Sequence, residues 1–287
     1  MTTPLTALIS DLHSNWPALR TAVADARARG VRRVVCLGDV IGYGAKPREC
    51  LDEVMRLCAN GDGLESGLCL QGNHEYALLN SAEDFNANAR RAIDWTREEL
   101  SRAGDRERSY GYWDFLSGLE PLFVEEGAMY AHGSPRDPVR EYLLPRDARD
   151  AGKMAANFAR MRAVDCERAH VCFVGHSHVP GVYPESGGYV HPDQVQGVWA
   201  DGAARAIVNI GSVGQPRDGD PRAAYAIIED GRVELKRVEY DLDRTVAAIE
   251  SAPILPEAKE LAAHVLRTGG MNQNGGNRNQ STINRGI

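Results

Sequence analysis

Five short apolar runs in this chain each end in side chains of the kind that bind metal ions. The polar segments that follow these runs are residues 10–15 (SDLHSN), 38–44 (GDVIGYG), 72–75 (GNHE), 131–133 (AHG) and 175–178 (GHSH). In open α/β sheets, ligands bind where the carboxyl ends of neighbouring strands meet, because the loops converge there. The five segments therefore predict an α/β fold with one polar site at the ends of its strands.

Strand-like and helix-like patterns alternate in the first third of the chain. Apolar runs at 5–9, 34–37 and 68–70 predict strands, and helical patterns end at Gly30 and cover 47–58. Repeated strand–helix–strand units favour a mostly parallel sheet. Further helices are predicted over 84–102, 110–119, 146–162, 243–249 and 257–266, and further strands over 122–124, 128–131, 171–174, 207–210, 224–228 and 233–238. The last two strands form a hairpin through a Gly-containing turn.

Strand patterns occur in both halves of the chain around one group of polar segments. We therefore expect a single domain over residues 1–268, built as a two-sheet α/β/β/α sandwich with helices outside the packed sheets. Residues 269–287 are rich in Asn and Gly and nearly free of apolar side chains. Such a segment cannot bury enough surface to offset the entropy lost on ordering, so a disordered tail is predicted there.

Charge and composition disfavour several classes of function. The chain carries 33 Lys and Arg against 40 Asp and Glu, a net charge of −7 that disfavours binding to duplex nucleic acid and to anionic membranes. No apolar stretch approaches the roughly 20 residues of a membrane helix, and the first apolar run is too short for a secretory signal. Six cysteines without a CxxC pair predict reduced core thiols and a cytoplasmic location: Cys36, Cys50, Cys58, Cys69, Cys166 and Cys172.

Each polar segment has a structural explanation when it is taken alone. Asp39 can form a turn after its glycine, Asn73 can cap a helix, and a lone histidine such as His132 is more often hydrogen-bonded in a core. Five of the eight histidines nevertheless lie in these segments, which is more than separate structural roles for each histidine would account for. Three histidines lack such a setting and are interpreted as surface or structural residues: His170, His191 and His264.

Two of the segments contain ligand-type side chains two residues apart. The pairs are Asp11 with His13, and His176 with His178. In extended backbone, side chains at this spacing point to the same side. Both side chains of each pair are therefore expected to face the same polar site.

The five segments together form a pattern: Asp-x-His, Gly-Asp, Gly-Asn-His-Glu, His-Gly and Gly-His-x-His. This pattern resembles the calcineurin-like metallophosphoesterase superfamily over residues 5 to about 240. The longer phrases at 11–15, 38–44, 175–180 and 209–217 resemble the small prokaryotic, single-domain phosphoesterases of that group. The resemblance implies the two-sheet sandwich and a hydrolase that cleaves phosphate esters with the help of divalent metal ions.

The resemblance also implies two metal sites that share one carboxylate. The first set is Asp11, His13, Asp39 and His178, and the second is Asp39, Asn73, His132 and His176. Asp39 would bridge ions about 3.5–4 Å apart, and a hydroxide shared by both ions would be the nucleophile. Mixed oxygen and imidazole donors suit Mn²⁺, Fe or Zn²⁺. His74 would be the catalytic residue that stabilises the transition state or protonates the leaving oxygen.

Substrate recognition departs from that of related protein phosphatases. Those enzymes carry arginines that hold phosphate and an aspartate that orients the catalytic histidine. The corresponding positions here are Tyr43, Gln71 and Gly42, which disfavours protein phosphatase activity.

Three residues are candidates for substrate binding in this chain: Arg217, Arg136 and Asn15. The structural alternatives are exposed loop arginines paired with Asp218 or Asp137, and a helix-capping role for Asn15.

We expect a di-metal phosphoesterase that acts on a phosphodiester or a small nucleotide. Dinucleoside polyphosphate hydrolysis and phosphomonoesterase activity at the same site are alternatives, and a non-catalytic metal-binding scaffold is a third. A scaffold would have no physical need for His74, which is not a metal ligand in the implied sets. The expected partner is a small phosphorylated or nucleotide substrate, with no membrane and no duplex nucleic acid. The sequence leaves a homo-oligomer open.

Overall fold

The computed structural model describes residues 4–59, 63–102, 104–125, 127–164, 169–195, 198–200, 205–253 and 256–270. Its strands are β1 (Thr6–Ile9), β2 (Arg33–Cys36), β3 (Leu68–Cys69), β4 (Leu122–Glu125), β5 (Ala128–Ala131), β6 (Val171–Val174), β7 (Gly181–Pro184), β8 (Val198–Ala200), β9 (Ala206–Asn209), β10 (Ala223–Glu229) and β11 (Arg232–Val238). Its α-helices are α1 (Trp16–Ala28), α2 (Pro47–Cys58), α3 (Asn73–Leu79), α4 (Ala87–Ser101), α5 (Arg106–Ser117), α6 (Ala151–Val164), α7 (Leu242–Ser251) and α8 (Pro256–Thr268).

The strands form two mixed sheets. The first has the order β3-β2-β1-β10-β11-β8, and the second has the order β4-β5-β6-β9-β7. In the first sheet β1 pairs in parallel with β2, which pairs in parallel with β3, as the repeated strand–helix units predicted. The prediction of a mostly parallel sheet was wrong beyond these strands, because β10 and β11 add to the other edge of β1 as an antiparallel hairpin.

Apolar side chains fill the space between the sheets. Leu8 and Val35 of the first sheet share one buried cluster with Phe173 and Val208 of the second. The outer face of the first sheet packs on α1 and α2, and the outer face of the second packs on α6. This arrangement is the predicted α/β/β/α sandwich.

Local side-chain chemistry explains why α1 begins where the first polar segment ends. The Asn15 side chain accepts a hydrogen bond from the Ala18 N–H at 3.3 Å, and Pro17 occupies the first turn. Both features favour a helix start, because the first turn has N–H groups without intrahelical partners. Leu19 and Val23 then place the apolar stripe of the helix against the first sheet.

Several boundaries differ from the sequence predictions. The α5 helix begins at Arg106, four residues early, because the Asp105 side chain caps the Arg108 N–H. The helix predicted from residue 146 begins at Ala151, after a 3-10 helix at Pro145–Arg149. The short strands β7 and β8 were not predicted.

None of the helices in the described ranges is long and apolar enough to cross a membrane. The five cysteines within these ranges are free thiols, and four of the five are buried. Cys166 lies outside the described residues, as do residues 271–287 of the predicted tail. The domain limits at 1–268 stay a prediction.

Candidate metal centre

The polar segments that follow β1, β2, β3, β5 and β6 meet at one end of the two sheets. Asp11, Asp39, His132, His176 and His178 are all at most 3% exposed. Three groups of carboxylate and imidazole donors here have donor atoms within 4.8 Å of one another. The sequence prediction that the strand ends form one polar site is matched by this convergence.

The first donor group follows β1 and β6. The Nε2 atom of His178 lies 3.1 Å from Asp11 Oδ1 and 3.1 Å from His13 Nε2. His13 Nε2 is also 3.8 Å from Asp39 Oδ2, so the carboxylate that follows β2 borders this group.

The second donor group is arranged around His132. Its Nε2 atom lies 3.3 Å from Asp39 Oδ2, 3.1 Å from Asn73 Oδ1 and 3.0 Å from His176 Nδ1. Asp39 Oδ2 therefore faces both groups, as a bridging carboxylate must.

Backbone carbonyl groups fix the orientation of the four imidazoles. Each ring donates one N–H to a carbonyl oxygen, which leaves the nitrogen that faces the centre as an unprotonated donor when the ring is neutral. The pairs are His13 Nδ1 with Ile41 O (3.2 Å), His132 Nδ1 with Leu37 O (3.1 Å), His176 Nε2 with Arg140 O (3.1 Å) and His178 Nδ1 with Gln215 O (2.5 Å). Inward lone pairs beside carboxylate and amide oxygens fit divalent metal ions.

The backbone of these segments is not extended, contrary to the expectation for the i,i+2 pairs. Five of the seven candidate ligands have positive φ values: Asp11 (53°), His13 (46°), Asp39 (53°), His176 (63°) and His178 (59°). Such left-handed conformations cost about 1–3 kcal/mol each and persist where the surroundings determine them. The turns direct backbone N–H groups at the carboxylates: the His176 N–H donates to Asp11 Oδ2 at 2.9 Å.

Burial and charge set the protonation of the centre. Burial lowers the pKa of His176 to about 3. Burial would raise the pKa of Asp39, but the attraction of His132 lowers it well below its usual value. His132 shows the reciprocal effect: burial opposes its charge, yet attraction to Asp39 raises its pKa to about 9. The two buried carboxylates thus make this a place where positive charge is stabilised.

His74 belongs to the third of these donor groups, together with His13 and Asp39. Its Nε2 is 3.9 Å from Asp39 Oδ2, and its ring centroid is 4.7 Å from that of Tyr43 and 5.0 Å from that of Phe85. Its Nδ1 is buried and has no hydrogen-bond partner among the described residues. Gly42 stands against this nitrogen, since a Cβ built there would lie 2.1 Å from it. Aromatic contacts with Tyr43 and Phe85 therefore hold the His74 ring in place.

A match to a known protein family agrees with a metal centre at the ends of these strands. The model of the calcineurin-like phosphoesterase superfamily domain matches residues 5–231. The chain belongs to this superfamily. Its members are phosphoesterases, so the protein is a hydrolase that acts on phosphate esters.

The similarity of this phosphoesterase to its relatives covers nearly the whole chain. It is 34% identical to the uncharacterized protein MJ0912 of Methanocaldococcus jannaschii over 260 residues, which is 87% of this chain and 93% of the relative. A metallophosphoesterase structure from Sphaerobacter thermophilus is 35% identical, with a TM-score of 0.73 over 92% of this chain and 99% of the other. The hypothetical protein PH1004 of Pyrococcus horikoshii shares the fold at 18% identity, with a TM-score of 0.69 over 93% and 99% of the two chains.

Arg217 is the substrate-binding candidate that the structure places beside the centre. Its guanidinium carbon lies 5.9 Å from the ring centroid of Tyr43, which itself contacts the His13 ring at 4.8 Å. Its Nη2 donates to the Gln215 side chain at 2.7 Å, and its Nε has no partner among the described residues. The alternative pairing with Asp218 was wrong, because Asp218 pairs with Arg237.

Arg136 and Asn15 are instead engaged within the protein. The Arg136 side chain is 42% exposed and forms an ion pair with Glu141, so the alternative pairing with Asp137 was wrong in its partner. The Asn15 side chain donates to Gly214 O at 2.8 Å and accepts from Thr245 Oγ1 at 3.0 Å, besides capping α1. These contacts support structural roles for both side chains, and their contact with substrate stays a prediction.

Sequence reasoning gave no role to Glu75, although it lies in the quoted GNHE segment. Its buried carboxylate accepts hydrogen bonds from the backbone N–H groups of Asp39 (2.8 Å), Val40 (2.9 Å) and Gly72 (2.9 Å). Burial and the nearby Asp39 raise its pKa to about 7. Glu75 ties the loop after β2 to the start of α3, and thereby fixes Asp39 relative to Asn73.

Proposed function

We propose that this protein is a di-metal phosphoesterase that hydrolyses a phosphodiester or a small nucleotide. The observation that carries the proposal is the pair of donor groups on either side of Asp39, with the imidazole nitrogens turned inward. Family membership supports phosphate-ester hydrolysis.

The two proposed ligand sets are Asp11, His13, Asp39 and His178, and Asp39, Asn73, His132 and His176. Their mixed oxygen and nitrogen donors fit Mn²⁺, Fe or Zn²⁺, and we propose Mn²⁺ for the assay. Two such ions would neutralise charge on the phosphoryl oxygens and activate a water molecule. The carbonyl partners of the four ring N–H groups keep the imidazoles oriented before substrate arrives.

His74 is the proposed catalytic residue. Its Nε2 lies 3.9 Å from Asp39 Oδ2, and it is outside the two proposed ligand sets. The rings of Tyr43 and Phe85 pack against it and restrict its movement. From this position it would hold a proton for the leaving-group oxygen. General acid catalysis by one positioned side chain contributes ~10²–10⁴-fold to the rate.

The charge around the site favours a diester. A monoester is close to a dianion at neutral pH, whereas a diester carries one negative charge, and paired arginines are the usual partners of the dianion. Arg217 lies over the Tyr43 ring at 5.9 Å, and Tyr43 itself stands where the resemblance implies an arginine in protein phosphatases, so the paired arginines of those enzymes are not expected at this position. The substrate is therefore proposed to be a small phosphodiester or nucleotide.

The free cysteines fit a cytoplasmic location, which we propose for this protein.

Metal content and hydrolysis test this proposal together. Protein reconstituted with Mn²⁺ should contain two equivalents by elemental analysis and hydrolyse bis(4-nitrophenyl) phosphate. Asp39→Asn should lower the metal content and abolish hydrolysis, because Asp39 serves both sets. His191→Asn is the matched control, since His191 is exposed and paired with Asp193, and it should change neither. A metal content of one equivalent per chain that Asp39→Asn leaves unchanged would refute the proposal.

A further inference from the structure

A cavity of about 200 Å³ opens beside the second donor group. Asn73 and His176, two proposed ligands of one ion, line it on the side of the metal centre. The other lining residues are Tyr76, Ser81, Asp84, Phe85, Arg140 and Tyr142. A group attached to a phosphate at the metal centre would therefore reach this cavity directly.

The three aromatic residues of the cavity come from separate parts of the chain. Tyr142 stacks on the His176 imidazole, with ring centroids 3.6 Å apart and an interplanar angle of 23°. Phe85 meets the His74 ring edge-on at 86°. Tyr76 lies on α3, one turn after Asn73. All three rings are half-buried, so they border the cavity as well as packing on the protein.

Charged groups complete the edge of the cavity. The Arg140 guanidinium carbon lies 4.6 Å from the centroid of the Tyr76 ring. Its Nη1 is 3.8 Å from Asp84 Oδ2, and the side chains of Arg140 and Asp84 are 54% and 80% exposed. An ion pair this open contributes little to stability. The exposed guanidinium and carboxylate are therefore accessible to polar groups of a ligand in the cavity.

We propose that this cavity is the subsite for a nucleobase of the substrate. The base stacks among Tyr76, Phe85 and Tyr142, and its polar edge meets Arg140 and Asp84, while the phosphate lies at the metal centre. Stacking on aromatic side chains is available to every base, because each has a π-face. The inference rests on the proposed function and narrows its substrate class to nucleotides and nucleoside phosphodiesters.

The test compares two ligands that differ only in the base. Calorimetric titration of the Mn²⁺-loaded protein measures Kd for 2′-deoxyadenosine 5′-monophosphate and for 1,2-dideoxyribose 5-phosphate. The nucleotide should bind roughly 5- to 100-fold more tightly, which is the range given by stacking of one base on aromatic side chains. Equal Kd values would overturn the subsite.

Two variants and a matched control locate the effect. Tyr76→Ala and Arg140→Ala should each reduce the ratio of the two Kd values, because only the base loses a contact. Tyr110→Ala removes an exposed ring of α5 (58% exposed) and should keep the ratio. A ratio unchanged in both subsite variants would place the base elsewhere and refute the assignment.

The binding measurement is separate from the test of catalysis. If bis(4-nitrophenyl) phosphate is hydrolysed but the two Kd values are equal, the subsite fails and the proposed function stands. If no hydrolysis occurs but the nucleotide binds more tightly and Tyr76→Ala removes the difference, the subsite stands and the proposed catalysis fails.

Discussion

The close approach of Gly42 to His74 makes one substitution informative. In Gly42→Ala the new Cβ would lie 2.1 Å from His74 Nδ1 and 2.7 Å from its Cε1. Ordinary contacts begin at 3.4 Å, so the ring must retreat by roughly 1 Å or more. Tyr43 and Phe85 also pack against the ring, so the displaced Nε2 is not expected to keep its position near Asp39.

The magnitude follows from two separate effects. A misplacement of about 1 Å in a catalytic group costs roughly 10²-fold in rate. Gly42 also has a φ of +95°, and a left-handed conformation costs a residue with a Cβ about 1–2 kcal/mol. We therefore expect kcat to fall by roughly 10²-fold and the free energy of unfolding to fall by about 1–2 kcal/mol.

A second glycine separates strain from displacement. Gly188 has a φ of +89°, and a Cβ built there meets nothing within 4 Å. Gly188→Ala should lower the free energy of unfolding by a similar amount to the strain in Gly42→Ala, and it should leave kcat unchanged. The assays are hydrolysis of bis(4-nitrophenyl) phosphate, thermal unfolding and elemental analysis of Mn²⁺. A folded Gly42→Ala variant with two metal equivalents and wild-type kcat would refute the assigned position of His74 in catalysis.

Three further predictions address other residues. His74→Asn should lower kcat by ~10²–10⁴-fold while two metal equivalents remain, because His74 is assigned to proton transfer; loss of metal would show instead that it is a ligand. With Mn²⁺ bound, kcat/KM for an aryl diester should equal or exceed that for the matching monoester, and a strong monoester preference that Arg217→Ala abolishes would contradict the charge argument. Burial would raise the pKa of Glu141, but hydrogen bonds from Arg136 and other side chains lower it from 4.5 to about 2. Glu141→Gln should therefore lower the urea midpoint at pH 7, with a difference from wild type that narrows as pH falls from 4.5 toward 2; a difference independent of pH would refute this linkage.

Features with a local cause could be predicted from the sequence. An apolar run followed by a ligand-type residue marks a strand end, and this brought Asp11, Asp39 and His176 into one predicted site. The Asn15 cap and the hairpin of β10 and β11 have equally local signals. β7 contains Gly181 and Pro184, and β8 has only three residues, so neither shows the apolar run that marks the predicted strands.

Features that depend on packing between distant segments were not predicted. His13 and His178 adopt left-handed backbone conformations although neither is a glycine, so the sequence gives no local signal for these turns. Backbone hydrogen bonds with other loops, from His13 to Asp39 and from Arg217 to His178, stabilise them. The partner of Arg136 is Glu141 rather than the adjacent Asp137, since Ser134 and Asn157 also donate to the Glu141 carboxylate. Likewise, Tyr142 lies in a segment without periodicity, and only the fold brings its ring onto His176.

The proposed ligands come from both sheets: Asp11 and Asp39 follow strands of the first, and His132 and His176 follow strands of the second. Bound ions would therefore cross-link the two sheets of the sandwich at the end where the ligand loops meet. In the unfolded chain these donors are dispersed along the sequence, with Asp11 and His176 165 residues apart. The unfolded chain should therefore bind the ions less tightly than the native state, and the difference in binding free energy stabilises the native state. The unfolding midpoint should rise with the logarithm of the free ion concentration. In the cell, the concentration of one kind of metal ion would then affect both the rate of hydrolysis and the stability of the folded protein.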